Sequence, residues 1–222
     1  MRLEAVDVGF RHARAEWLFR NRSIAVTRGE IVGLAGRSGI GKTTLAKLLA
    51  GYLKPVEGEV RVDGDIRIDG EVRVNGPSRR AKLEPDPVQL VFQHPEQSVN
   101  PRWTIERILR EGWEVEPDLL SVFGIEQEWL NRLPSELSGG ELQRVCIVRA
   151  LGPGTRYLIA DEMTTMLDPI TQAQIWQSML DIAKARNLGL LVISHDHALL
   201  ARICDRIIEW NGSGQRSDDI LE

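Results

Sequence analysis

Three short stretches of this chain carry residue types that act on phosphate. The first is Gly36-Arg37-Ser38-Gly39-Ile40-Gly41-Lys42-Thr43-Thr44, rich in glycine and closed by an amine and two hydroxyls. Backbone N–H groups in such a loop turn inward, and a helix that starts there adds partial positive charge, so phosphates bind. Lys42 then supplies a point charge to the outer phosphates, and Thr43 a hydroxyl to a divalent cation. The second stretch is Asp161-Glu162, two carboxylates that close the apolar run Tyr157-Leu158-Ile159-Ala160. At the mouth of a sheet, Asp161 suits a cation shell and Glu162 suits the acceptance of a proton from an attacking water. The third, Ser138-Gly139-Gly140-Glu141, offers a hydroxyl and backbone N–H groups at a helix start, which suits an anion. Each has a purely structural alternative: a glycine-rich strand-to-helix turn, a carboxylate helix cap and a serine helix cap.

The elements around these residues set their positions. Leu3 to Val8 alternates as a strand, and Glu30-Ile31-Val32-Gly33-Leu34-Ala35 reads as a strand buried on both faces of a parallel sheet. After Lys42 the pattern turns helical, with Leu45, Leu48 and Leu49 on one face and Gly51 as its stop. Between Gly58 and Gly76, β-branched pairs separated by Asp-Gly and Asn-Gly steps predict tight hairpins. Alternation there places Arg61, Arg67 and Arg73 on a solvated strand face rather than in an anion-binding row. Pro77 to Pro87 reads as a loop, and Val88 to Phe92 as a strand that ends in Gln93. His94 to Glu136 reads as helices broken by Pro95, Pro101 and Pro117. A further helix follows Gly140, then strands at Tyr157–Ala160, Leu190–Ile193 and Arg206–Trp210. Strands alternating with helices imply an α/β fold on a mainly parallel sheet. The polar tail from Asn211 to Glu222 is expected to be flexible.

Composition narrows the class. A chain of 222 residues with 42% apolar residues can bury one substantial core, so one domain with a subdomain is expected. The longest apolar runs are far too short to span a bilayer, and the N-terminus lacks a signal-peptide core. A cytoplasmic location follows as the expectation, with any membrane association through a partner. The net charge of −4 argues against a general nucleic-acid binder. Cys146 and Cys204 lack metal-like or disulfide-like spacing and are expected as buried free thiols.

Taken together, the motifs resemble those of a known family. Residues 36–43 match the Walker A pattern, residues 157–162 resemble Walker B, and Leu137-Ser138-Gly139-Gly140-Glu141-Leu142-Gln143-Arg144 between them resembles the signature of the ATP-binding cassette (ABC) ATPases. The resemblance covers nearly the whole chain. It implies a P-loop NTPase (RecA-like) fold with an N-terminal antiparallel β subdomain and a helical subdomain inserted at about residues 94–150. It also implies ATP as substrate and Mg2+ as cofactor. Gly36 to Thr44 then bind the nucleotide, with Mg2+ held by Thr43, Asp161 and Gln93. Glu162 becomes the general base, Gln93 the Q-loop glutamine and His195 the switch histidine, with His197 its competitor two residues on. Ser138, Gly139, Gly140 and Glu141 meet the ATP of the opposite subunit. Asp168 closes a D-loop, Thr165-Met166-Leu167-Asp168, where the family usually has Ser-Ala at the first two positions. The adenine-stacking position falls on His12, with Phe10 or Trp17 as alternatives.

A second resemblance narrows the subfamily. Val91-Phe92-Gln93-His94-Pro95 followed by Ser98-Val99-Asn100-Pro101-Arg102-Trp103-Thr104-Ile105 looks like the corresponding region of the peptide/nickel importer ATPases. The end of the chain near Glu222, without a cysteine-bearing extension, resembles their shorter, nickel-type subunit. Such importers pair two related cassettes on two membrane permease subunits, supplied by a solute-binding protein. A position on the inner face of the cell membrane follows. Trp103 and Ile105 then serve either the subdomain core or a permease contact. The alternatives are a non-transport ABC ATPase of DNA repair or translation, and an exporter or lipoprotein-release cassette.

Overall fold

The computed structural model describes residues 1–13, 16–68, 71–72, 85–165 and 167–211. Its first half runs β1 (Arg2–Phe10), β2 (Phe19–Thr27), β3 (Ile31–Ala35), α1 (Lys42–Leu49), β4 (Glu57–Val62), β5 (Asp65–Ile68), β6 (Glu71–Val72) and β7 (Val88–Val91). Helices α2 (Ile105–Leu109), α3 (Pro117–Val122) and α4 (Gly139–Ala150) follow. The chain then runs through β8 (Tyr157–Asp161), α5 (Pro169–Arg186), β9 (Gly189–Ile193), α6 (His197–Ile203) and β10 (Arg206–Glu209). Two five-stranded sheets result, ordered β2-β1-β4-β5-β6 and β10-β3-β9-β8-β7. The first is antiparallel and the second parallel throughout.

The parallel sheet is buried on both faces, as its unbroken apolar strands require. Tyr157 and Ile159 of β8 point into one core, with Val32, Leu34, Leu191 and Ile193. That core is closed by α1 through Leu45, Leu48 and Leu49, and by Leu3, Ala5, Ile24, Val60 and Val62 of the antiparallel sheet. Leu158 and Ala160 point the other way, into a core shared with Ile105, Ile108, Val145, Val148, Ile175 and Met179. The two-residue period of the strands thus assigns each side chain to one layer or the other.

The β4–β5 hairpin turns at the predicted Asp63-Gly64 step, but Arg67 does not lie on a solvated face. It is buried at 8% exposure. Its guanidinium donates to both carboxylate oxygens of Asp86, at 2.9 and 2.7 Å, and to the Ala50 carbonyl at 3.0 Å. Alternation predicts which way a side chain points, not what the next layer brings against it. Here the end of α1 and the segment before β7 cover the strand. Arg61, by contrast, stays half-exposed and pairs with Glu59. Arg73, the third hairpin repeat beyond Val72 and residues 77–84 of the predicted loop lie outside the described residues, as does the tail from 212 onward.

Between β7 and β8 the chain is helical in short pieces, with 3-10 turns at Pro95–Gln97, Gln127–Trp129 and Pro134–Glu136 alongside α2, α3 and α4. Pro117 opens α3 rather than breaking a helix, a position where its missing N–H is harmless. Ile105 is fully buried, and Trp103 packs partly buried against the same core with Arg107 over its ring at 4.1 Å. Both side chains therefore serve the core. Cys146 is buried and Cys204 half-buried, both as free thiols. No helix among the described residues is long and apolar enough to cross a membrane.

A polar joint ties the two sheets. Asp63, in the turn between β4 and β5, accepts from the Tyr157 hydroxyl and pairs with Arg156 at 2.5 Å. Burial, and next the bond to Asp63, push the Tyr157 phenol well above its usual range. Tyr157→Phe is expected to cost about 1–2 kcal/mol. For a chain of this size that lowers the melting temperature by roughly 2–8 °C. Urea denaturation with an unchanged slope checks this, and an unaltered midpoint refutes the joint.

Candidate functional site

The glycine-rich loop leaves β3 at Ala35 and enters α1 at Lys42. Gly36 and Gly41 hold positive φ, 149° and 97°, which side chains rarely tolerate. A Cβ on Gly36 would also lie 2.6 Å from the Trp210 carbonyl oxygen, and one on Gly41 2.9 Å from Phe19. Lys42 is 6% exposed, and its Nζ donates to the Gly36 and Arg37 carbonyls, both at 2.8 Å, across the mouth of the loop. Arg37, Ser38 and Gly39 are exposed at the tip, open to a ligand.

A residue that sequence reasoning did not single out braces this loop. The Trp210 indole N–H donates to the Ile40 carbonyl at 3.0 Å, and its backbone N–H to Ala35 at 2.7 Å. Phe19 packs edge-on against the indole at 5.3 Å, with Arg22 over its ring at 5.3 Å. Arg22 also donates to the Asn211 carbonyl. No local pattern marks these residues, because the contacts close over about 170 to 190 positions of sequence.

The carboxylates sit at the same edge of the sheet. Asp161 ends β8 at 4% exposure. Burial raises its pKa, and a hydrogen bond with Thr43, at the start of α1, opposes that rise. Glu162 turns into the left-handed region at φ 49°, a conformation that costs a non-glycine residue roughly 1–2 kcal/mol. Its N–H donates to Ile193 at 3.0 Å and extends the β8–β9 pairing by one step. The turn brings its carboxylate 3.4 Å from His195 Nδ1. His197 lines the same cavity beside Gly36, Arg37 and Ile40, but it pairs with Glu209, at 3.6 Å, rather than with Glu162. Gln93 joins the cluster through a long bond to Thr165 Oγ1, 3.4 Å, and that hydroxyl donates to the Glu162 carbonyl at 3.0 Å. Loop, carboxylates, glutamine and histidine thus meet at the C-terminal ends of neighbouring strands, where open α/β sheets bind ligands.

The Ser138 segment lies apart, at the start of α4. Ser138 Oγ accepts from the Glu141 N–H at 3.3 Å, and the Glu141 carboxylate accepts from the Ser138 N–H at 2.6 Å. This is a capping box, and the Ser138 N–H holds the Glu141 carboxyl below its usual range. The helix-cap reading therefore holds for Ser138 together with Glu141, yet Ser138 and Gly139 stay exposed, with open space where a Gly139 Cβ would stand. Gly140 lies under Leu167, whose Cδ2 would be 2.9 Å from a Cβ there. Asp168 also caps, accepting from Ile170 and Thr171 N–H at 3.1 and 3.0 Å at the start of α5. Hydrogen bonding from Thr171 lowers its pKa. Met166 lies outside the described residues.

Among the adenine-stacking candidates, Phe10 is buried at 7% exposure and Trp17 carries the Arg11 and Arg20 guanidiniums over its ring at 4.7 and 4.4 Å. His12 is exposed, edge-on to Phe10 at 5.0 Å. A buried carboxylate, a hydroxyl bonded to it and a nearby amide form an oxygen donor set that fits Mg2+, whose remaining ligands come from phosphate and water.

Loop, carboxylate pair and parallel sheet define a P-loop nucleoside triphosphatase. The family model described as ABC transporter matches residues 19–165. The chain is 35% identical to the nickel import system ATP-binding protein NikE of Staphylococcus aureus (strain N315), over 93% of this chain and 85% of that protein. It is 36% identical to the nickel import ATP-binding protein NikE of Rhodospirillum rubrum, over 87% and 72%. Among solved structures, an ATP-binding subunit of an ABC transporter superposes with a TM-score of 0.79 at 25% identity, covering 100% of this chain and 90% of the other. A post-hydrolysis dimer of the cassette MJ0796 bound to ADP and Pi superposes at 0.76 and 22%, covering 99% and 98%. The chain belongs to the ABC transporter family, as one of its ATP-hydrolysing cassettes.

The brace makes a prediction. Trp210→Phe keeps an aromatic ring but removes the N–H to Ile40, and is expected to weaken ATP binding by about 3- to 10-fold. Lys42→Ala removes a charged donor and should weaken it further, by at least about tenfold beyond wild type. Calorimetric titration with ATP measures both, and wild-type affinity in Lys42→Ala contradicts the role of the amine.

Proposed function

We propose that this chain is the ATPase subunit of a nickel-type importer, in which MgATP-driven closure of two cassettes drives uptake of nickel, a metal–chelator complex or oligopeptides. The subfamily reading rests on the segment from Val91 to Ile105 and on the two relatives named for nickel import. The observation that carries the chemistry is the convergence of Lys42, Gln93, Asp161, Glu162 and His195 at one sheet edge.

Residues 36–44 cradle the phosphates through loop N–H groups and the start of α1, with Lys42 leaving its loop carbonyls for the β- and γ-phosphates. Thr43, Asp161 and Gln93 would hold Mg2+, which would supply positive charge to offset that of the phosphates. Glu162 accepts the proton of the attacking water, and His195 contacts the γ-phosphate and orients Glu162 through the 3.4 Å contact. Ser138, Gly139 and Gly140 meet the nucleotide of the opposite cassette, while Glu141 shapes their turn. Asp168 fixes the D-loop, and His12 is the residue left to stack on adenine.

Residues 94–150 act as the helical subdomain. The cassette pairs with a second ATPase on two permeases at the inner face of the membrane, through the surface around residues 93–108, with a solute-binding protein delivering the cargo. Co-expression with permeases and a second cassette should give a complex with raised ATPase activity. A fully active homodimer that permeases neither bind nor stimulate points instead to a non-transport ABC ATPase.

Glu162→Gln keeps shape and hydrogen bonding but takes no proton. Turnover is expected to fall by about 10²–10⁴-fold with ATP affinity retained. Near-normal turnover removes Glu162 from the role of base.

A further inference from the structure

The helix that begins with the signature turn also grips the chain that follows β7. Gln143 is 2% exposed, and its Nε2 donates to the Phe92 carbonyl at 3.1 Å. Three residues on, Cys146 Sγ lies 3.4 Å from Ser98 Oγ and 3.8 Å from the Pro95 carbonyl. Three further on, Arg149 Nη1 donates to the Ser98 carbonyl at 2.8 Å. The segment adds its own lock, as Ser98 Oγ donates to Pro95 at 2.9 Å. Residues 92, 95 and 98 are therefore held by side chains 143, 146 and 149 of one helix.

The first of these bonds matters most. A peptide unit is planar, so fixing the Phe92 oxygen also fixes the direction of the Gln93 N–H and its bond to Cα. Gln93 is the residue whose amide reaches toward Thr165 and Glu162. Ser138, which caps the same helix, lies about 7.5 Å along the axis from Gln143 at 1.5 Å per residue. α4 runs unbroken from Gly139 to Ala150, so the signature turn and the gripping side chains belong to one helix.

We infer that Gln143 is a positioning residue for ATP hydrolysis: it sets Gln93 through the Phe92 carbonyl and makes residues 92–98 and the signature turn move as one body. The inference rests on the reading of Gln93 as a residue of the hydrolytic site. Displacement of the 92–98 segment then shifts Ser138 by the same rigid motion, without a contact between Ser138 and that segment. Gln143 touches neither nucleotide nor water in this scheme.

The test uses Gln143→Met, which preserves volume and removes the donor. Cys146 lies under the gripped segment, so its maleimide labelling rate reports whether the segment stays seated. Peptide mass mapping reads Cys146 and Cys204 separately, and Cys204 serves as the internal reference. The rate at Cys146 is expected to rise at least about fivefold, because a lost buried hydrogen bond makes local opening easier. KM for ATP should stay within about twofold while kcat falls about 10- to 100-fold, the penalty of a displaced catalytic group. Gln93→Ala with Gln143→Met should be no slower than Gln93→Ala alone, because the two act through one route. An unchanged Cys146 rate, or losses in the double variant that multiply, overturns the proposal. If Gln143→Met does not fold, Arg149→Met frees the same segment at Ser98 and is held to the same rate criterion. Wild-type turnover in Gln93→Ala refutes the reading of Gln93 instead, and the thiol rate alone then decides the grip.

Discussion

Burial of the parallel sheet on both faces is the constraint from which the rest of this molecule follows. With Tyr157 and Ile159 committed to one core and Leu158 and Ala160 to the other, β8 has no polar outlet between the Tyr157 hydroxyl at its start and Asp161 at its end. The same holds for β9, where every residue from Gly189 to Ile193 is buried and the first exposed side chain is His195. Unpaired charge cannot stay inside such a sheet without a large desolvation cost. Polar chemistry therefore collects where the strands end, and parallel pairing puts those ends together.

Buried polar joints connect the layers around that sheet. Arg67 with Asp86 and Ala50 ties the hairpins to α1 and to the entry of β7. Tyr157 with Asp63 ties the same hairpins to β8, and Trp210 ties the end of β10 to the phosphate loop. These bonds satisfy groups that folding has taken out of water, where an unmet donor or acceptor costs more than a made bond gains. They also fix geometry: each joins an element that carries a site residue to one that does not.

The site stores some local cost in return for position. Glu162 adopts a left-handed backbone, which turns its carboxylate toward His195 instead of continuing the strand. Lys42 is buried across the loop mouth, its amine held in place by two loop carbonyls. Asp161 is held at low exposure beside Thr43, and burial first, then the neighbouring Glu162 carboxylate, raise its pKa. A nearby cation reverses that preference, because it favours the ionised carboxylate.

Much of this was legible from sequence, because strand periodicity and glycine-rich turns act over a few residues. The order of strands and helices, the phosphate loop, the carboxylate pair and the helix start at Ser138 are all local signals. The placing of His195 just after β9 was a local signal too, but its contact was not: where β8 and β9 end relative to each other puts His195 at Glu162 and His197 at Glu209. Arg67 looked solvated for the same reason: alternation describes a strand's two faces but not the layer that covers one of them. Trp210 and Gln143 carried no motif that marks a brace or a grip. By itself, the sequence determined which residues bear the chemistry and which segments carry them, through short-range sterics and hydrophobic period. Only the tertiary structure decided which of those residues meet, because packing closes contacts between positions far apart in the chain.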